Sequence, residues 1–206
     1  MLLIAIASMI LPVSAAGIDA AAIVRMLAQP VPSHTGFVEL RGSALLKEPL
    51  RVEGEYRRPD SATLVRDVHS PYAETTTIGD GKVSIARAGK PPRVFALQRI
   101  PELHDLQTSF GALLSGDAST LAQDYRLDAS GIEQRWQLLL TPKTEALSRR
   151  IRTITLRGRG NELRCIETQP AKGELQRTLL GGAAKAAAAV ADAGTLATLC
   201  HDDGAH

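Results

Sequence analysis

The sequence predicts an α+β fold in which a long antiparallel sheet carries helices on one side. Three observations lead there: a first run of five or six short alternating segments, a leucine-rich helical stretch after it, and a second run of three or four such segments. The order along the chain is helix, strands, helices, strands.

The opening helix is "IDAAAIVRMLAQ", residues 18–29, where Ile18, Ala22, Met26 and Leu27 lie near one stripe and Pro30 and Pro32 stop it. The period then changes to two. "TGFVELRG", "LRVEGEYRR", "ATLVRDV", "ETTTIG", "KVSIAR" and "RVFALQ" are strand-like runs separated by Pro, Asp and Gly. "GDG" at 79–81 predicts a tight hairpin, because Asp-Gly between extended runs favours a two-residue turn.

Helical spacing returns in "RIPELHDLQTSFGALLSGDASTLAQDY", with Leu103, Leu106, Phe110, Leu113 and Leu114 on one face and Pro101 in a first turn. Gly116 is placed to end that helix and Asp117 to cap a short second one. If the sheet curls, the helix at 101–114 can plug its concave face as a lid. Strands resume in "IEQRWQLLLTP", "RRIRTITLRG", "NELRCIETQ" and "GELQRTLL". In "SRRIRTITLRGR" neither parity is purely apolar, which reads as an exposed or edge strand; its functional alternative is attraction to phosphate-bearing headgroups. Beyond Gly182, alanine favours helix but offers little apolar area for docking.

The first segment, "MLLIAIASMILPVSAAG", is apolar and ends in small residues, as a secretory signal does, although no Lys or Arg precedes it. Cleavage after residue 16 is expected, with an uncleaved anchor as the alternative. Export in turn favours a disulfide between Cys165 and Cys200, whose spacing fits no metal motif, with a pair of unconnected thiols as the alternative. The terminal "HDDGAH" places His201, Asp202, Asp203 and His206 together, a pattern expected of a polar tail rather than a metal site.

Composition narrows function further. A net charge of +2 does not demand a nucleic-acid partner, and aromatic residues at 3% leave no base-stacking platform. The nucleophile elbow, phosphate loop, His-Glu-x-x-His helix, Cys-x-x-Cys pair and calcium loop are all missing, so no catalytic residue, metal or cofactor is expected. His34, His69 and His104 have no motif partner.

One cation stands out. Counting by twos, Arg58 shares a face with Tyr56, Gly54, Val52 and Leu50, while Arg57 takes the other parity with Glu55, Glu53 and Arg51. A guanidinium on an apolar face must have its donors satisfied, or else reach water from the strand end.

Taken in order, "EGEYRRP", "IGDGKVSI", the leucine-rich helix, "WQLLLTPK" and "LRCIE" resemble the LolA-like periplasmic carriers of outer-membrane lipoproteins over about residues 20–180. The resemblance implies an unclosed antiparallel β-barrel whose concave face is covered by a helical lid over an acyl-binding cavity. It implies that Arg58, directly before Pro59, hydrogen-bonds to the lid backbone. On the same basis the chain divides into a signal at 1–16, a carrier domain at 17–181 and an alanine-rich helix with a polar tail at 182–206.

The expected cavity wall comprises Val52, Tyr56 and Arg58, then Leu64, Val83, Ile85 and Phe95 from the following strands. The lid would add Leu103, Leu106, Phe110, Leu113 and Leu114, and a late strand Trp136 and Leu138. The implied partners are an acyl lipid or lipoprotein cargo, an inner-membrane donor complex and an outer-membrane acceptor, served by a periplasmic monomer. The scarcity of aromatics leaves a glycolipid or other acylated molecule open as cargo. A lipid-sensing regulatory or interaction protein built on the same fold is the second reading.

Overall fold

The structure, a computed structural model, describes residues 17–41, 49–99, 110–188, 190 and 193–201. The signal expected at 1–16 and the predicted lid residues Leu103 and Leu106 lie outside them, as do Asp202, Asp203 and His206.

Helix α1 (Ala20–Met26) starts at Asp19, whose carboxylate accepts from the Ala22 amide at 2.8 Å. Six strands follow: β1 (Ser33–Arg41), β2 (Leu50–Arg58), β3 (Leu64–Ser70), β4 (Glu74–Gly79), β5 (Lys82–Arg87) and β6 (Lys90–Ala96). The β4–β5 hairpin turns through Asp80 and Gly81, both at positive φ (49° and 67°), as the Asp-Gly pair predicts. Next come α2 at 110–115 and α3 (Ala118–Asp124). Gly116, at φ 77°, separates them, and Asp117 caps α3 by accepting from the Thr120 amide at 3.0 Å.

The second run holds β7 (Tyr125–Ile132), β8 (Arg135–Pro142), the short helix α4 (Glu145–Ser148), β9 (Ile151–Arg159), β10 (Glu162–Pro170) and β11 (Gln176–Leu180). Helices α5 (Gly181–Ala187) and α6 (Ala193–His201) close the described chain. All neighbouring strands are antiparallel, in the order β6-β5-β4-β3-β2-β1-β11-β10-β9-β8-β7. The two meanders join where β1 pairs with β11, and the outer strands β6 and β7 do not pair, so the sheet is unclosed. Pro91, Pro92 and Lys90 lie in the edge strand β6, where a missing donor and a charge discourage further pairing.

The sheet bends strongly. Leu64 of β3, Leu140 of β8 and Ile166 of β10 face one common hollow although many strands separate them. Its concave side holds the main core, where Ile23 and Val24 of α1, Leu27 at its C-terminal end, Leu113 of α2 and Leu121 of α3 pack on Phe37, Val52, Val68, Leu138 and Leu156.

Helices are not confined to that side. On the convex face α5 and α6 pack through Ala183, Ala184, Ala187 and Leu196 against Val38, Leu40 and Leu179. The small alanines let α5 lie close to the sheet. Arg51 donates to the carbonyl of Ala187 at 3.0 Å and also to that of Val190, holding the end of α5, and a Cys165–Cys200 disulfide ties α6 to β10.

Two further differences from the sequence reading have physical causes. Strand β7 was not expected, because the helical stretch before it runs directly into Tyr125, and only Leu127 and Ala129 continue the alternation. Strand β9 is not an edge but pairs with both β8 and β10. A register shift between Gln169 and Pro170 sets Thr153 and Ile151 against consecutive partners, so inward parity passes from Ile154 to Ile151 and no simple count by twos describes the strand.

Candidate functional site

Between the concave sheet and α2–α4 lies a cavity of about 670 Å³, inside the range of roughly 300–1,000 Å³ common to small-molecule sites. Ile78 and Ile85 supply one side of its apolar wall, and Leu140, Ile154, Leu156 and Ile166 the other. Phe110, Leu113, Leu121 and Leu147 come from the helices.

Of the expected wall residues, Tyr56, Leu64, Ile85, Phe110 and Leu113 line this cavity. Tyr56 links sheet to helix, its ring 4.8 Å from that of Phe37 and 5.7 Å from that of Phe110. Burial, reinforced by the Glu39 carboxylate, pushes the Tyr56 phenol above its ordinary pKa, so it stays neutral.

Val52, Arg58, Val83, Phe95, Leu114, Trp136 and Leu138 are not among the residues that line it. Val52 and Leu138 are fully buried in the packed core. Val83 belongs to a small separate cluster with Ile78 and Leu97. Phe95 sits half-buried on the edge strand beneath the Arg93 guanidinium, 5.2 Å from its ring centre. Trp136 is buried in the core, with its indole donating to the Gly160 carbonyl at 2.9 Å.

Leu114 contributes its backbone. Its carbonyl accepts from the Gln29 amide at 3.0 Å and from Nη1 of Arg58 at 3.3 Å. Arg58 also donates to the Gln29 carbonyl at 3.5 Å. Only 7% of Arg58 is exposed, so it does not extend into water at the strand end. The guanidinium thus spans the end of β2, the segment after α1 and the last turn of α2. Gly116 completes this junction, since a Cβ there would meet Ala28 at 3.1 Å.

Sequence reasoning missed the polar part of the wall. Glu39 and Arg41 of β1, Arg66 of β3, and Gln176 and Thr178 of β11 all face the cavity. Glu39 accepts from Nε of Arg41 and Nη2 of Arg66, both at 2.6 Å, and Arg66 also lies over the Phe37 ring at 4.8 Å. The signal was present, because Phe37, Glu39 and Arg41 share one parity in "GFVELR".

The convex face carries a separate network around Glu167, which accepts from Arg177 at 2.8 Å and Arg157 at 3.2 Å and lies 3.1 Å from His201. Burial acts to raise the Glu167 pKa, but the hydrogen bonds from Arg177 and Arg157 help outweigh it and hold the carboxyl below its ordinary value. Cys200 lies nearby, but its sulfur is committed to the disulfide.

A helix-covered apolar hollow in an unclosed antiparallel sheet coincides with a family match. The model of the LolA-like outer-membrane lipoprotein carrier proteins covers residues 12–204. The chain belongs to this LolA-like family. The match runs through α5 and α6, so the alanine-rich end lies within the matched region. Among curated proteins none matches. Among solved structures, the crystal structure of a LolA superfamily protein from Nitrosomonas europaea is similar at 11% identity, covering 78% of this LolA-like chain and 89% of that one with a TM-score of 0.37. No described helix is long and apolar enough to cross a membrane.

Proposed function

We propose that this LolA-like chain is a periplasmic carrier that takes the acyl chains of a lipoprotein or another lipid into its cavity and moves them toward the outer membrane. The observation that carries this reading is the 670 Å³ hollow, walled largely by Leu, Ile and Phe side chains and covered by a helix tethered through Arg58.

The energies run in the right direction. Each buried methylene contributes about 0.8 kcal/mol, so a chain of about ten gains on the order of 8 kcal/mol over water. Each hydrogen bond from a charged group contributes about 1.5–3 kcal/mol. Acyl burial therefore offsets the loss of the Arg58 contacts when the cover shifts. Binding and release need no bond chemistry, so the protein works without catalysis or a cofactor, as a monomer between an inner-membrane donor and an outer-membrane acceptor.

Native mass spectrometry of protein released from the periplasm without detergent tests the reading. Copurifying acyl lipid is expected. A protein that is empty in repeated preparations, and that stays empty after incubation with membranes, would overturn it.

A further inference from the structure

The cavity wall has a charged part that acyl chains alone do not require. On the inner faces of β1 and β3, Arg41 and Arg66 flank Glu39, which is itself only 7% exposed. Among the described residues no buried side-chain nitrogen or oxygen lacks a partner, so the group is internally satisfied. Its charges do not cancel: two guanidiniums stand against one carboxylate, and with Glu74 and Arg150, which also line the hollow, the wall carries three guanidiniums against two carboxylates, a formal +1.

Desolvating such a group is costly, and apolar side chains of similar volume commonly do as well or better for stability. The position of the group therefore bears on what enters the cavity. Arg41 ends β1, Gln176 begins β11, Pro170 ends β10 and Ile151 begins β9, so these wall residues mark one end of the sheet. Gln176 and Thr178 add neutral hydrogen-bonding groups beside the arginines. Leu64, Ile85, Phe110 and Leu113 provide apolar wall for a chain.

We infer that the cavity selects an amphiphile with an anionic headgroup, a phosphate or a carboxylate, held by Arg41 and Arg66 while its acyl chain lies along the apolar wall. The inference rests on the carrier reading and narrows its cargo. Guanidinium suits either oxyanion, because its N–H donors match two oxygens at once. Glu39 orients both guanidiniums and lowers their joint charge, which favours a singly charged group.

The test is isothermal titration of the full chain with dodecyl phosphate, dodecanoate and dodecanol, each below its micelle concentration. Both anions, or the one that matches the site, should bind at least about tenfold tighter than the alcohol, the effect expected of a charge-assisted hydrogen bond. Comparing the two anions separates phosphate from carboxylate. In Arg66→Gln and Arg41→Gln the anion-to-alcohol ratio should fall toward one. In Glu39→Gln, which raises the local charge while keeping the side chain's shape, the ratio should rise; this variant decides the matter if the arginine variants do not fold. Equal affinity for all three ligands in the unaltered protein, or ratios unmoved by these substitutions, would overturn the headgroup site and leave the carrier reading standing. Binding of none of the three would overturn both.

Discussion

Nη1 of Arg58 donates to the backbone carbonyl of Leu114 across 3.3 Å, joining the end of β2 to the last turn of α2. The same carbonyl accepts from the Gln29 amide, so one acceptor gathers the sheet, the segment after α1 and the helix over the cavity.

Arg58→Leu removes the cationic donor while keeping an apolar side chain on the inner face. Loss of these hydrogen bonds weakens the empty, closed state by about 1–3 kcal/mol, and a ligand that favours the opened state then binds more tightly. The variant should release a fluorescent acyl probe several-fold more slowly and transfer it poorly to acceptor vesicles. Stopped-flow release measures this, and kinetics matching the unaltered protein would remove the latch role.

Asp117, beside the Gly116 break, accepts from Ser119 and Thr120, and these bonds lower its pKa from 3.8 to about 2. A carboxyl depressed in the folded state contributes stability that is present above the unfolded value and is lost as pH falls through the folded one. The start of α3 should therefore loosen between about pH 4 and pH 2. Amide exchange at Thr120 and Leu121 reads this directly, and Asp117→Asn should show a weaker dependence over that window.

The Cys165–Cys200 bond closes a separation of 35 residues and fastens α6 to the convex face, away from the cavity. Replacing both cysteines by serine should lower stability by about 2–4 kcal/mol. Acyl-probe affinity should change little, because the cavity wall lies on the opposite side of the sheet. Calorimetry and probe titration on the same variant separate the two effects, and a large loss of affinity would mean that the outer helices shape the cavity.

Gly158 lies against Trp136. A Cβ at this position would come within 2.2 Å of the indole and 2.3 Å of the Glu162 carbonyl oxygen. Overpacking of this kind costs about 1–3 kcal/mol. Gly158→Ala should lower the melting temperature and shift the fluorescence of Trp136, the chain's single tryptophan. Unchanged melting would show that the paired strands β8 and β9 yield more easily than their packing implies.

Much of this architecture could be read from side-chain parity. The alternation in "LRVEGEYRR" placed Arg58 on the inner face, and "GDG" marked a hairpin whose two turn residues both adopt positive φ. Parity failed where the backbone breaks period: the bulge at Arg152, between Ile151 and Thr153, hid the interior position of β9. Composition misled at α5, because alanine's small area argues against docking when close approach and a disulfide in fact hold the helices to the sheet. Charge on an inner face was the hardest feature to interpret. Glu39 and Arg41 share parity with Phe37, but their ion pairing becomes apparent only when Arg66 arrives from a strand two places away.

Photocrosslinking with a diazirine-bearing fatty acid, followed by peptide mapping, tests most directly whether the hollow is the acyl site. Adducts should concentrate on inward residues such as Leu64, Ile85, Ile154 and Ile166, and excess unlabelled fatty acid should suppress them. Adducts spread over the convex helices α5 and α6, with the inward residues unlabelled, would contradict the account.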